Sequence, residues 1–305
     1  MNVKSKNLWL VYALITTLTW GVWGAFSEIP EKNGFPGSLT YVVWSFTMLL
    51  PAGIVLRNVG WKIEHDPRSV LMGLAIGFLG AGGQLALFIG ALNQGPAYLV
   101  FPIISMSPVV TVILSLVLLK EKASRRGWVG IILAIIAIPL LSYSDPAGSS
   151  SHGIMWLVYA ILVFFAWGFQ AYLMKLANNT MSTEGIFFYM TLTGLLLAPL
   201  ALWFTNFSVP VSTGLKGPYL AFFIQMLNSV GALFIVYAFR YGKAIIVSPL
   251  TNAVFPVITV VLSLIIYQTF PHKVIVAGML LAVVSIFLMA VEGETPGSET
   301  GDVKS

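Results

Sequence analysis

The chain has 305 residues, of which 58% are hydrophobic and only 9% charged, with a mean hydropathy of +0.90 and a formal net charge of +5. Soluble domains carry about a quarter charged residues, so a water-soluble fold is excluded and the chain reads as an integral membrane protein, with the lipid bilayer as its solvent. Cysteine is absent, which excludes disulfides, thiolate chemistry and cysteine-ligated metals, and His65, His152 and His272 stand beside predicted loops rather than paired at helical spacing; no metal and no cofactor is expected.

A bilayer core about 30 Å thick asks for about 20 apolar residues per spanning helix. Ten such runs occur, near 8–27, 37–56, 69–92, 97–119, 125–143, 153–174, 185–204, 218–239, 244–267 and 272–291. They lack the two-residue alternation of a barrel strand. The first opens LWLVYALITTLTWG at 8–21, behind Lys4 and Lys6, and has the look of a signal peptide. It returns as MWLVYAILVFFAWG at 155–168, with seven of fourteen positions identical at an offset of 147, and a discarded leader has no reason to match an internal helix.

Inside the first and second runs lie Trp20, Trp23 and Trp44, readable as cavity walls or as core, while Trp9 and Trp156 near run ends read as an interfacial belt. The third carries GLAIGFLG, with Gly73, Gly77 and Gly80 on one small-residue face suited to close helix packing rather than to phosphate, and then Gln84. The fourth holds Pro102 and Pro108 beside Ser107, Thr111 and Ser115. A turn-rich linker, SYSDPAGSSSHG at 142–153, precedes the sixth run, which contains Trp167, Gln170 and Lys175. The eighth contributes Gln225, Asn228 and Ser229, and the ninth Pro249 and Pro256 with Ser248, Asn252, Thr259 and Ser263.

The halves correspond throughout. Pro51 aligns with Pro199, Gly95 with Gly242, Pro102 with Pro249, Pro108 with Pro256, and the LSL at 114–116 with that at 262–264. Five helices per half is an odd number, so the second copy enters from the opposite side and the repeats are inverted. The expected fold is therefore an all-α membrane protein of ten transmembrane helices in two inverted five-helix repeats, 1–147 and 148–291, with a disordered cytoplasmic tail at 292–305. On that topology thirteen Lys and Arg fall on the side of the termini and three on the other, which places both termini in the cytoplasm and accounts for the positive charge without nucleic acid.

The segment ALNQGPAYLVFPIISMSPVVTVILSLVLLKEKASRRGWVGIILAIIAIPLL at 91–141 resembles the EamA-type domain of the drug/metabolite transporter superfamily: a GPA before a proline-containing helix, an LLKEK boundary, and a glycine three residues into the fifth helix. The resemblance covers nearly the whole chain as two tandem domains. It implies ten helices, alternating access and the export or exchange of small metabolites. The second copy departs from the pattern where Thr269 stands in place of Glu121.

All eleven acids fall in predicted loops or at helix ends, so no simple proton relay crosses the membrane. Glu28 comes nearest, and its repeat mate is Lys175; the pair reads either as gating or coupling groups at opposite mouths or as interfacial side chains reaching water. Prolines within helices free carbonyls and break the ladder, so Pro102, Pro108, Pro249 and Pro256 are expected to break the fourth and ninth helices. Such breaks suit a wet cavity, although proline kinks with hydroxyls bonded back to their own helix are equally consistent.

The expected function is a secondary transporter, a permease without enzymatic activity, in the cell inner (plasma) membrane. Helices 1, 3, 4, 6, 8 and 9 would line one central site, where Trp20, Trp23, Gln84, Ser107, Thr111, Trp167, Gln170, Asn228, Asn252 and Thr259 meet a small polar metabolite. Export of an amino acid or similar compound is the leading expectation. Uptake of a sugar or other small solute, and a non-transporting receptor or scaffold, are the alternatives; a homodimer is a further expectation.

Overall fold

The computed structural model describes residues 7–27, 29–91, 100, 103–141, 143, 154–267 and 272–290. Among them the chain is helical and holds no strand. The longer helices in order are α1 (Leu8–Phe26), α2 (Gly37–Asn58), α3 (Pro67–Ala91), α4 (Ile103–Val117), α5 (Arg125–Leu141), α6 (Met155–Ala177), α7 (Thr183–Trp203), α8 (Leu220–Tyr241), α9 (Ala244–Tyr267) and α10 (Lys273–Ala290), with short helical segments at Ile29–Lys32 and Leu215–Tyr219 between them. Among the described residues six helical segments are long and apolar enough to cross a membrane, those of α1, α2, α3, α6, α7 and α8, while α4 and parts of α9 and α10 form shorter apolar stretches. Glu28, Pro102, Asp145, His152, Thr269 and the tail at 292–305 lie outside the described residues.

Local chemistry sets the ends and interruptions. Asp66 caps α3 by accepting from the Ser69 N–H at 3.0 Å, with Pro67 in the first turn, where its missing donor costs nothing. Hydrogen bonds from Ser69 hold the Asp66 carboxyl below the usual carboxylate range. Pro51 lacks the N–H that would reach Thr47, and α2 is interrupted at Met48 just beyond that carbonyl. Ser182 caps α7 and accepts from the Gly185 N–H at 3.0 Å.

The helices pack by exchange between the halves. The first helix of each half lies on the third and fourth of the other: α1 on α8 and α9, α6 on α3 and α4. The second helices pack on the opposite thirds, α2 on α8 and α7 on α3, and the fifths, α5 and α10, pack together. The small face read in the third run performs this packing. A Cβ on Gly73 would sit 2.4 Å from the Tyr189 ring, and one on Gly77 2.7 Å from the Tyr189 carbonyl of α7.

Leu18, Phe78, Ile113, Leu196, Phe223 and Phe287 are all more than half exposed, a surface that a protein in water would hide and that hydrocarbon covers at no cost. Buried hydroxyls turn onto their own helix where water is absent: Thr191 donates to the Phe187 carbonyl at 2.9 Å, Thr193 to Tyr189 at 2.8 Å and Ser285 to Ala282 at 2.7 Å. The chain is an integral membrane protein.

Two expectations are corrected here. Trp9 is not in an interfacial belt: it is 5% exposed, seated against Gly242, whose missing Cβ would lie 3.0 Å from the Trp9 Cβ. The proline breaks are not paired either. In α4 the ladder fails at Met106 and Ser107, ahead of Pro108, and the Ile104 carbonyl that Pro108 cannot serve takes the Ser107 N–H at 3.1 Å instead. By contrast α9 runs unbroken through Pro249 and Pro256. A proline removes one bond rather than a helix, and α9 is clamped along its length by α1, α4 and α5.

Candidate functional site

Both halves contribute to one cavity of about 530 Å³ at the centre of the bundle. Its walls come from α1, α3, α4, α6, α8 and α9, as read from the sequence, and also from α2 and α7 through Trp44, Met48 and Met190 and from the end of α5 through Leu141. No carboxylate, ammonium or guanidinium group stands among its described lining residues; the polar groups are amides, hydroxyls and indoles.

Trp20, Trp23, Gln84, Ser107, Trp167, Gln170, Asn228, Asn252 and Thr259 all line this space. Thr111 does not: it is fully buried, and its hydroxyl donates to the Gly168 carbonyl at 3.0 Å, where α4 crosses α6. The bond has a counterpart in the other repeat. Thr259, its mate, makes the same bond to the Gly21 carbonyl at 2.9 Å where α9 crosses α1. Each crossing needs its glycine, since a Cβ on Gly168 would lie 2.5 Å from the Val110 Cβ, and one on Gly21 2.5 Å from the Ile258 Cβ.

The inner tryptophans follow the same exchange. Trp20 Nε1 donates to the Asn228 carbonyl at 3.2 Å, and Trp167 Nε1 to the Gly80 carbonyl at 3.4 Å. Each indole lies over a glycine one turn along the third helix of the opposite half, Gly231 or Gly83, whose Cβ would come within 2.4 or 2.6 Å of the indole nitrogen. The indoles are thus both walls and fasteners.

Asn252 is half-buried, with Nδ2 donating to the Ser248 carbonyl at 3.0 Å. Ser229 does not line the cavity; it shares a hydrogen bond of 2.8 Å with Thr47, tying α8 to α2. The side chains of Pro256 and Ser263 lie outside the described residues. Three donors on lining side chains, Trp23 Nε1, Trp44 Nε1 and Gln84 Nε2, are buried with no acceptor among the described residues. Such groups in a low-dielectric interior are costly until something accepts from them.

At one end of the cavity Lys175 turns inward rather than reaching for water. Its Nζ donates to the Phe239 and Gly242 carbonyls at 3.0 and 2.6 Å. Composition alone does not point to this contact, nor to Phe255, Met48 and Met190 in the wall, because apolar side chains facing a cavity read like core.

The sequence profile of the EamA-like transporter family matches residues 7–143 and again 154–291. The chain belongs to the EamA-like transporter family. It is accordingly a membrane transporter of the drug/metabolite transporter superfamily. Among curated relatives, the uncharacterized protein MJ1333.1 of Methanocaldococcus jannaschii is 31% identical over 137 residues, 45% of this chain and 97% of that protein. RarD of Escherichia coli is 26% identical over 141 residues, 45% of this chain, and the chain spans about half of RarD's length, 47%. LicB of Haemophilus influenzae is 23% identical over 203 residues, 60% of this chain and 68% of that protein. A crystal structure superposes with a TM-score of 0.71 at 16% identity, covering 91% of this chain and 96% of the other, so the two share a fold across nearly their whole length.

Proposed function

We propose that this EamA-family chain is a secondary transporter that carries a small, neutral or zwitterionic polar metabolite by alternating access, with export of an amino acid or similar compound as the working direction. Ten helices in two inverted five-helix repeats, 1–147 and 148–291, would form it, with both termini in the cytoplasm and the protein in the cell inner membrane. The observation that carries the reading is the central cavity, built from matched positions of both halves, whose described lining residues offer amides, hydroxyls and indoles and no charged group. An uncharged wall suits a substrate of no net charge, because an ion there would lose its hydration without a partner. The donors of Trp23, Trp44 and Gln84, which meet no acceptor among the described residues, supply sites for its acceptor atoms. That a relative of single-repeat length aligns with 45% of this chain fits an origin by duplication.

A metabolite survey of cells with and without the protein tests the substrate and the direction. One compound class is expected to rise in the medium and fall inside when the protein is present; the reverse sign would make it an uptake permease. Orientation is tested in the same cells, since the chain has no cysteine of its own. An Asp145→Cys variant is expected to react with an impermeant thiol reagent from outside, and a cysteine at the carboxyl terminus is not. Labelling of the carboxyl terminus from outside would contradict the inverted ten-span arrangement.

A further inference from the structure

We propose that Glu121 and Lys175 form a two-sided clasp on the turn between α8 and α9, and that this clasp is the gate closing the cavity at that end; the proposal rests on the alternating-access reading above. The turn at Tyr241–Lys243 brings together the last carbonyls of α8 and the first N–H groups of α9, which have no partners within their helices. The ends carry opposite partial charges, negative where α8 stops and positive where α9 starts. The protein meets each with the matching ion. Lys175 of α6 donates to the Phe239 carbonyl of α8 and to that of Gly242, which caps its end, and the Glu121 carboxylate accepts from the Ala244 and Ile245 N–H groups of α9 at 3.1 and 3.0 Å. Charge-assisted bonds of this kind are stronger than neutral ones.

The origin of the two ions makes the clasp a gate. Hydrogen-bonded crossings sort the central helices into two groups that mix the repeats, α1 with α8 and α9 and α6 with α3 and α4, and the two groups also meet where α4 packs on α9. Glu121 follows α4 and Lys175 belongs to α6, so both hold the α8–α9 turn of the opposite group. Lys243 adds a third tie, donating to the Lys122 carbonyl at 2.8 Å. Directly beneath lie Ala171 and Met174 of α6 and Ile235 and Phe239 of α8, which line the cavity. Parting the two groups at this end therefore requires breaking the clasp. By repeat offset the counterparts of Lys175 and Glu121 are Glu28 and Thr269, so the other end cannot repeat the same pairing of charges with helix ends.

The test uses Ala171→Cys, one turn from Lys175, in the full cysteine-free chain in proteoliposomes, with an impermeant thiol reagent applied from either face. In the parent, labelling is expected from the face opposite the clasp. Glu121→Gln and Lys175→Met, on separate elements, are each expected to raise labelling from the clasp face at least fivefold and to lower it from the other. General loosening would raise both together, and that result overturns the clasp. So does labelling unchanged from the parent in either variant, provided it elutes and melts as a folded protein. If Ala171→Cys reacts from neither face in every background, the alternating-access reading itself falls, and the gate with it.

Discussion

Replacing Asn252 with leucine is expected to lower transport at least tenfold while leaving insertion and folding nearly intact. The side chain lines the cavity from α9, and its Nδ2 bond to the Ser248 carbonyl leaves the amide oxygen as an acceptor at a wall otherwise rich in donors. Its own backbone carbonyl has lost its helical partner to Pro256. Leucine keeps the volume and removes both polar functions, so packing survives and the substrate loses a partner. An unmatched buried polar group costs about 1–3 kcal/mol, and each 1.4 kcal/mol is about a factor of ten. Val261→Leu on the same helix, where the side chain is 39% exposed toward lipid, is the control and is expected to change nothing. Initial rates at equal reconstituted protein decide the matter; a normal rate for Asn252→Leu would remove α9 from the site.

Gly168→Ala is expected to be among the most damaging single substitutions for the fold. The new Cβ would stand 2.5 Å from the Val110 Cβ and 2.8 Å from the Ser107 carbonyl, and the second contact is with backbone that no rotamer change can move. The α4–α6 crossing must spread, which strains the Thr111 bond to the Gly168 carbonyl beside it. Overpacking of this kind costs about 1–3 kcal/mol or more. Gly53→Ala in α2 makes the comparison fair, since nothing lies within 4 Å of its new Cβ and alanine favours a helix by about 1 kcal/mol over glycine. Thermal unfolding in detergent should fall sharply for the first and hold or rise for the second. Equal midpoints for the two would mean that the crossing is looser than its geometry.

The duplication, the helical runs and the small-residue faces were legible in the sequence because each is a pattern of residue type along one chain. Helix length follows from bilayer thickness, and Gly73 and Gly77 show their purpose by spacing alone. Thr111 and Thr259 were not separable in that way. They are mates with the same bond to a glycine carbonyl, yet only Thr259 also borders the cavity, and α4 is interrupted ahead of Pro108 while α9 continues through Pro256. Whether a proline breaks a helix depends on what clamps it, which composition does not record. Trp9 looked interfacial by position until Gly242, more than two hundred residues away, supplied its seat. Glu121 was visible as a departure between repeats, but its role needed the α9 terminus brought to it from the other half.

Solute counterflow in proteoliposomes is the most direct test of a central site exposed to each side in turn. Vesicles containing only the purified protein are loaded with excess unlabelled compound, taken from the metabolite survey, and diluted into a trace of the labelled form. With one alternately exposed site, label should rise transiently above equilibrium inside the vesicles, and Asn252→Leu should abolish the overshoot. Equilibration without overshoot would indicate a channel, and no flux of any surveyed compound by folded protein would contradict transport through this cavity.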